Sequence, residues 1–261
     1  MQILSVGDIV GRSGRKAFCL HTAKLRAQRN IDLVIVNGEN AAHGKGLSKS
    51  TFIELLSGGA NIITSGNHIF DNKDVFKIID SEPFLIRPAN YPEGVPGRGF
   101  CIYPLRSKTV GVINLSGRTF MPAIDCPFNK ATDIIKELQK NCDIILLDFH
   151  AEATSEKVAM GHFVDGKITT VWGTHTHVQT ADERILPHGT AYITDLGMTG
   201  AQDSVLGIKA EGAIEKFLTA MPTKFEVAEG TCIYCGIILN IDDKTNKVTS
   251  IERVYETVET Y

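Results

Sequence analysis

The feature that most constrains this chain is a recurring junction: an apolar run that stops at a polar residue able to bind a cation. Gln2–Val6 runs into Gly7-Asp8, Leu33–Asn37 into Gly38-Glu39-Asn40, and Asn61–Ser65 into Gly66-Asn67-His68. Asp143–Phe149 delivers His150, and Thr169–Trp172 delivers Gly173-Thr174-His175-Thr176-His177. Short β-branched runs alternating with helical stretches are the pattern of βαβ units. In open α/β sheets, ligands bind beyond the carboxyl ends of the strands. The junctions therefore point to one convergent site.

The remaining elements follow from periodicity, caps and stops. A basic helix is expected over Arg15–Arg29, and Ser48 caps another through Ser57 before Gly58-Gly59 stops it. Asp71 or Asn72 caps a short helix to Asp80. Four of the nine prolines and three glycines between Ser81 and Gly99 make that stretch an irregular connection. Strands are expected at Phe100–Pro104 and Thr109–Leu115, joined by a turn at Arg106-Ser107-Lys108. The loop Ser116–Asn129 leads into a helix ending near Lys140, and another helix spans Ser155–Val164. Tyr192–Asp195 reads as a strand, Glu211–Leu218 as a helix, and Thr231–Leu239 and Lys247–Thr257 as strands. The 261 residues suit one α/β domain, 1–261, with more late strands than a simple doubly wound sheet.

Composition removes several classes. A net charge of −3 argues against a protein that grips nucleic acid through global positive charge, so no stable nucleic-acid binding is expected. No apolar run approaches the roughly 18 residues that span a membrane. The N-terminal stretch carries Asp8 and lacks a basic n-region, so it does not read as a signal peptide. Six scattered cysteines fit reduced thiols in a cytoplasm, the expected location. Cys232 and Cys235 form a C-x-x-C inside an apolar run, which reads as a buried strand because no second pair completes a zinc or redox site.

The junction residues suit a pair of metal ions. Asp8 and Glu39 bring negative charge, and one carboxylate can bridge two cations. The imidazoles of His150, His175 and His177 favour Fe, Mn, Zn, Co or Ni over Mg, and Asn67 adds a neutral carbonyl oxygen. On an extended segment His175 and His177 point to the same side and could serve metals about 3.5–4 Å apart. Each residue alone has a plainer reading: a turn aspartate, a hydrogen-bonded structural histidine, an asparagine in a left-handed turn. Coincidence of type and place decides for a metal site. Cations flanking Glu39 would lower the pKa of a shared water and neutralise charge on phosphate oxygens. His68 follows a ligand directly and is assigned as the general acid to the leaving oxygen, an orienting role being the plainer reading.

The ordered set Gly7-Asp8, Gly38-Glu39-Asn40, Gly66-Asn67-His68, His150 and Gly173-Thr174-His175-Thr176-His177 resembles the calcineurin-like metallophosphoesterase signature. It is most similar to the YmdB-like branch, through nearly the whole chain. The superfamily pattern is Asp-x-His at the first strand; here Val10 stands at the His position, and Glu39 replaces the usual bridging Asp. Both departures are typical of that branch. They leave one metal short of a ligand, with Asn40 the nearest candidate. The resemblance implies a four-layer α/β/β/α sandwich and a dinuclear site, with iron expected and manganese the alternative. It also implies opening of 2′,3′-cyclic nucleotides, free or at RNA ends, to 3′-phosphates. Spacing by itself supports only metal-assisted hydrolysis.

Other candidates carry less. His43 and Lys45 follow Glu39-Asn40 closely enough to face substrate. Gly11-Arg12-Ser13-Gly14-Arg15-Lys16 is neither a Walker A loop nor a dinucleotide fingerprint, though a helix N-terminus there could hold an anion. The six basic residues from Arg12 to Arg29 read as a solvated helix face. His21, His162 and His188 read as structural or surface residues. Phe120 and Met121 could meet a partner or line a cleft, and a homo-oligomer stays open. Rival functions are an amidohydrolase, whose His-x-His comes early instead of last, a broader phosphatase, and a metal- and nucleotide-binding regulator without turnover.

Overall fold

The computed structural model describes residues 1–260. The chain begins with β1 (Gln2–Val6), β2 (Asp8–Ile9), α1 (Gly11–Gln28), β3 (Ile31–Asn37), α2 (Lys49–Ser57) and β4 (Ile62–Thr64). Next come β5 (Phe100–Leu105), β6 (Lys108–Ser116), α3 (Pro127–Leu138), β7 (Ile144–His150), α4 (Thr154–Val164) and β8 (Thr170–Thr174). It ends with β9 (Arg184–Ile185), β10 (Ala191–Ile193), β11 (Met198–Ala201), α5 (Ala210–Thr219), β12 (Cys232–Ile241) and β13 (Val248–Val258). No helix among the described residues is long and apolar enough to cross a membrane.

These strands make two mixed sheets. The seven-stranded sheet runs β2-β11-β12-β1-β3-β4, with β13 also on β12. β12 explains the branch. Its residues 236–240 pair antiparallel with β1, while Cys232 and Ile233 pair with Ala201 and Gly200 of β11. β1 and β11 therefore follow one another along one side of β12, and β13 takes the other side. The six-stranded sheet runs β5-β6-β7-β8-β10-β9, parallel from β6 to β10 with antiparallel edges.

Alternation along the strands feeds three apolar clusters. In β1, Leu4 and Val6 meet Ala17 and Phe18 of α1 and Phe52 and Leu55 of α2. Ile3 turns instead to a cluster shared with Val110, Val112, Leu146 and Trp172 of the second sheet. On that sheet's far side, Ile113, Leu115 and Leu147 meet α3 and α4 through Ile134, Leu138, Met160 and Val164. Contacts thus run helix to sheet, sheet to sheet and sheet to helix. Each such large side chain, fully buried, contributes about 1.5–3 kcal/mol. In α3, Ala131, Ile134, Ile135 and Leu138 are the buried residues of a helical stripe.

Several boundaries depart from the sequence expectations for local reasons. α1 starts at Gly11, not Arg15: Gly11 supplies a φ of 62°, and Gly14 lets the helix approach β11, where a Cβ would lie 2.3 Å from the Thr199 carbonyl oxygen. The short helix after Asn72 is a single 3-10 stretch, Lys73–Lys77, capped by the Asn72 side chain. α2 has the expected Ser48 cap, reinforced by a capping box with Thr51. β2 and β11 lie outside the sequence expectations. Asp8 stands in a two-residue strand parallel to Met198–Thr199, too short to leave a periodic signal. Cys232 and Cys235 are free thiols buried in β12, as the strand reading expects.

One buried ion pair braces the second sheet against α4. Lys157 Nζ lies 2.6 Å from Asp195 Oδ2, and both side chains are shielded from water. Lys157→Met leaves Asp195 charged and unpaired, which should cost about 3–5 kcal/mol of unfolding free energy. Urea denaturation of the purified variant measures this; an unshifted midpoint would show that the carboxylate does not depend on the ammonium.

Candidate metal centre

The parallel strands finish in register at one rim. Ser116, His150 and Thr174 are neighbours across β6, β7 and β8, and Asn37 lies beside Thr64 across β3 and β4. The junction residues project from this rim. His150 is buried at the end of β7, and its Nε2 lies 3.0 Å from Glu39 Oε1, 3.0 Å from Asn67 Oδ1 and 3.0 Å from His175 Nδ1. Ligand atoms of Glu39, His150 and His175 all lie within 4.8 Å of one another.

The surrounding hydrogen bonds fix what these atoms offer. Thr174 donates its hydroxyl hydrogen to Asp148 Oδ1 at 2.7 Å, so it accepts from His150 Nδ1 at 3.0 Å. Asp148 also accepts from Thr64 and from Asn37 Nδ2. That chain commits the His150 proton to Nδ1 and turns the Nε2 lone pair toward Glu39, Asn67 and His175. The His175 Nε2 faces Glu152 Oε2 at 3.1 Å, which likewise turns the Nδ1 lone pair inward. With His150 neutral, a carboxylate oxygen, an amide oxygen and two imidazole lone pairs converge there.

Such a cluster needs positive charge. Burial lowers the basicity of His150, yet Glu39, Asp8 and Asp148 outweigh it and raise the imidazole to about 9. Burial pushes Glu39 up, and His150 overcomes it to bring the carboxyl down to about 2. His175 falls to about 3 through burial and the adjacent His150. Asp148 rises to about 6 because burial exceeds the help of its Thr64 and Thr174 donors. Either a proton or a metal cation at His150 Nε2 satisfies the group, and the oxygen and imidazole donors suit a divalent transition metal.

A second set of donors lies beside the first. Asp8 Oδ1 is buried without a hydrogen-bond donor and lies 3.9 Å from both His177 Nε2 and His150 Nδ1. Asn40 Oδ1 is also buried and unpartnered, its amide nitrogen being used by the Gly44 carbonyl at 3.1 Å. Buried oxygens without a donor are costly, and a bound cation is one way to satisfy them. His177 Nδ1 donates to the Leu206 carbonyl at 3.0 Å, so its Nε2 is the free donor.

His175 and His177 do not reach the site from an extended segment as expected. β8 ends at Thr174, and the two histidines adopt φ of 101° and 64°. Each ring therefore faces a different donor set, one toward His150 and one toward Asp8. Asp8 Oδ2 accepts from the His175 N–H at 3.2 Å, and Asp195 accepts from the Thr176 N–H and hydroxyl at 3.1 and 2.7 Å. His68 donates its backbone N–H to Glu39 Oε2 at 2.9 Å, and its Nδ1 lies 2.8 Å from Asp71 Oδ2.

An open cleft of about 390 Å³ lies over these residues, with Glu39, Asn40, His68, His175 and His177 in its wall. His43 and Lys45 are exposed and do not line it. Sequence reasoning missed Asp148, Thr174, Glu152 and Asp195 as supports of the histidines. Only Asp148 left a signal, as a charged residue inside an apolar strand.

The family model described as "YmdB-like protein" matches residues 4–254. The chain belongs to the YmdB-like family. A curated relative from Bacillus subtilis (strain 168), named 2′,3′-cyclic-nucleotide 2′-phosphodiesterase, is 51% identical over 97% of this chain and 96% of its own length. A crystal structure of a hypothetical protein from Thermus thermophilus matches at a TM-score of 0.93 and 38% identity, over 98% of this chain and 99% of that one. A Mycoplasma pneumoniae structure titled as a novel phosphatase matches at 0.93 and 36% identity, over 99% and 94%. A metallophosphoesterase family implies divalent metal ions, and the donor chemistry here fits them.

Gly66 gives the test of crowding. A Cβ there would lie 2.2 Å from His150 Nε2 and 2.4 Å from Glu39 Oε2. Gly66→Ala should therefore keep the far-ultraviolet circular dichroism of the parent and lose metal, measured by inductively coupled plasma mass spectrometry. Full metal content in a folded variant would show that the ring and carboxylate have room to move.

Proposed function

We propose that this chain is a dinuclear-metal phosphodiesterase that hydrolyses 2′,3′-cyclic nucleotides to 3′-nucleotides. The observation that carries the reading is the convergence of the Glu39, Asn67, His150 and His175 donors on one point in a buried site. The curated relative's name, at 51% identity over almost the whole chain, supplies the substrate class. In this reading Glu39, Asn67, His150 and His175 hold one cation. Asp8, Asn40, His177 and the shared Glu39 carboxylate hold the other. The three imidazoles support iron, with manganese the alternative. Bound cations supply charge neutralisation at phosphate oxygens and a lowered pKa for water.

The chain's own residues divide the remaining work. The Asp71 carboxylate holds His68 by Nδ1, leaving Nε2 toward the cleft. Hydrolysis adds water oxygen to phosphorus and breaks the bond from phosphorus to the 2′ oxygen. His68 Nε2 gives its proton to that oxygen, and the phosphate stays on the 3′ position. The Glu39 link to the His68 N–H ties the proton donor to the metal cradle, so both move as one unit.

Two variants separate these roles. Glu39→Gln should abolish turnover and lower metal stoichiometry, because a neutral amide cannot hold two cations together; two bound metals with normal turnover would remove Glu39 from the bridging position. His68→Ala should keep near-normal metal content and reduce turnover of 2′,3′-cyclic nucleotides by about 10²–10⁴. The deficit should shrink for a nitrophenyl ester, whose leaving group departs unprotonated. Equal losses on both esters, or the loss of a metal equivalent, would place His68 in a coordinating or positioning role. Hydrolysis of a simple phosphomonoester but not of 2′,3′-cyclic nucleotides would replace the diesterase reading with a phosphatase.

A further inference from the structure

We infer that the apolar wall of the cleft, built from residues 205–225, is the subsite for the nucleobase, with Phe217 and Phe225 as its aromatic faces. The inference rests on the phosphodiesterase reading above and adds what holds the part of the substrate that does not react. The same cleft that Glu39, His68, His175 and His177 line is also lined by Val205, Leu206, Ile208, Ala213, Phe217 and Phe225, with Lys216 the one charged side chain of that segment. Polar, metal-type residues and an apolar, aromatic segment thus share one cavity of about 390 Å³, within the roughly 300–1,000 Å³ of small-molecule sites. A cyclic nucleotide has the matching division: an anionic ring phosphate at one end and a flat aromatic base at the other.

The apolar wall is a built feature. Residues 205–208 close on themselves through a Val205–Ile208 bridge and pair with Val227 through Ile208. The Lys209 N–H donates to the Glu226 carbonyl at 2.8 Å, and the Ala228 N–H to the Gly207 carbonyl at 2.9 Å, which fixes the chain beside Phe225. The same turn is tied to the metal rim, because the Leu206 carbonyl holds His177. On α5, Ala213 is buried, and Phe217 follows one turn later along the same side. Phe217 is nonetheless 85% exposed, and Phe225 48% exposed. An exposed phenylalanine lining a catalytic cleft is a stacking face for a planar ring. Stacking also tolerates every base, since each has a π-face.

The test compares 2′,3′-cyclic AMP with methyl β-D-riboside 2′,3′-cyclic phosphate, which carries the same reacting ester and no base. The readout is the ratio of kcat/KM for the two esters in metal-loaded enzyme. Phe217→Ala and Phe225→Ala, singly and together, should each lower that ratio, with a loss of about 5–100-fold in the stronger variant carried mainly by KM. Phe217→Trp should retain it. A ratio unchanged in an active double variant overturns the subsite. So does an equal loss on both esters, which would assign the phenylalanines to the wall itself or to contact with a second copy. A wild type inert toward both cyclic esters overturns the diesterase reading and the subsite with it.

Discussion

Everything at this rim depends on one electrostatic constraint: lone pairs of two imidazoles, a carboxylate and an amide meet at the floor of the cleft, around a fully buried His150. Glu39, His150 and Asp8 are all buried to within 1% of complete exclusion. At such a site four acceptors repel unless a positive charge sits among them, and low polarity magnifies both the repulsion and its relief. The rise of His150 to about 9 and the fall of Glu39 to about 2 are the chain's response when that charge is a proton. A metal ion in the same place removes the proton and uses the same geometry.

That constraint propagates outward by hydrogen bonds. Asp148 fixes Thr174, Thr174 fixes the His150 tautomer, and Glu152 fixes that of His175. Orienting partners of this kind hold the rings in place and raise ligand basicity. Asn37 and Thr64 serve the same carboxylate from the other sheet, so Asp148 joins the two sheets at the rim. The buried pair of Lys157 and Asp195 extends the support into α4. The fold and the site are therefore coupled through a few buried polar residues amid an apolar interior.

Much of this was legible in the sequence, for a physical reason. Strands buried on both faces must be apolar throughout, so a polar residue at their ends stands out, and parallel order sends those ends to one rim. The strands β1, β3, β4, β7 and β8 and their junction residues carried that signal. Two-residue strands such as β2 and β9 bury too little to leave a period. The supports were hidden because a threonine or lysine looks the same in sequence whether it faces water or a buried carboxylate. The cleft's apolar segment was hidden too, because the exposure of Phe217 appears only once α5 is placed. His43 and Lys45, though near Glu39 in sequence, are not among the residues lining the cleft.

The loop that carries His175 and His177 shows how the chain holds a shape its residues resist. Both histidines have positive φ, a region that costs a non-glycine residue on the order of 1–3 kcal/mol. Such a cost persists only where the surroundings over-determine the backbone. Here three anchors do so from different parts of the fold: Asp8 of β2 takes the His175 N–H, Asp195 takes Thr176 twice, and the Leu206 carbonyl takes the His177 ring. Because the other oxygen of Asp8 belongs to the second donor set, that set and the strained loop share one carboxylate. The strain has a geometric return. An extended loop would aim both rings one way, whereas this one sends His175 to Glu39 and His150, and His177 to Asp8. Two donor sets are thereby filled from three consecutive residues.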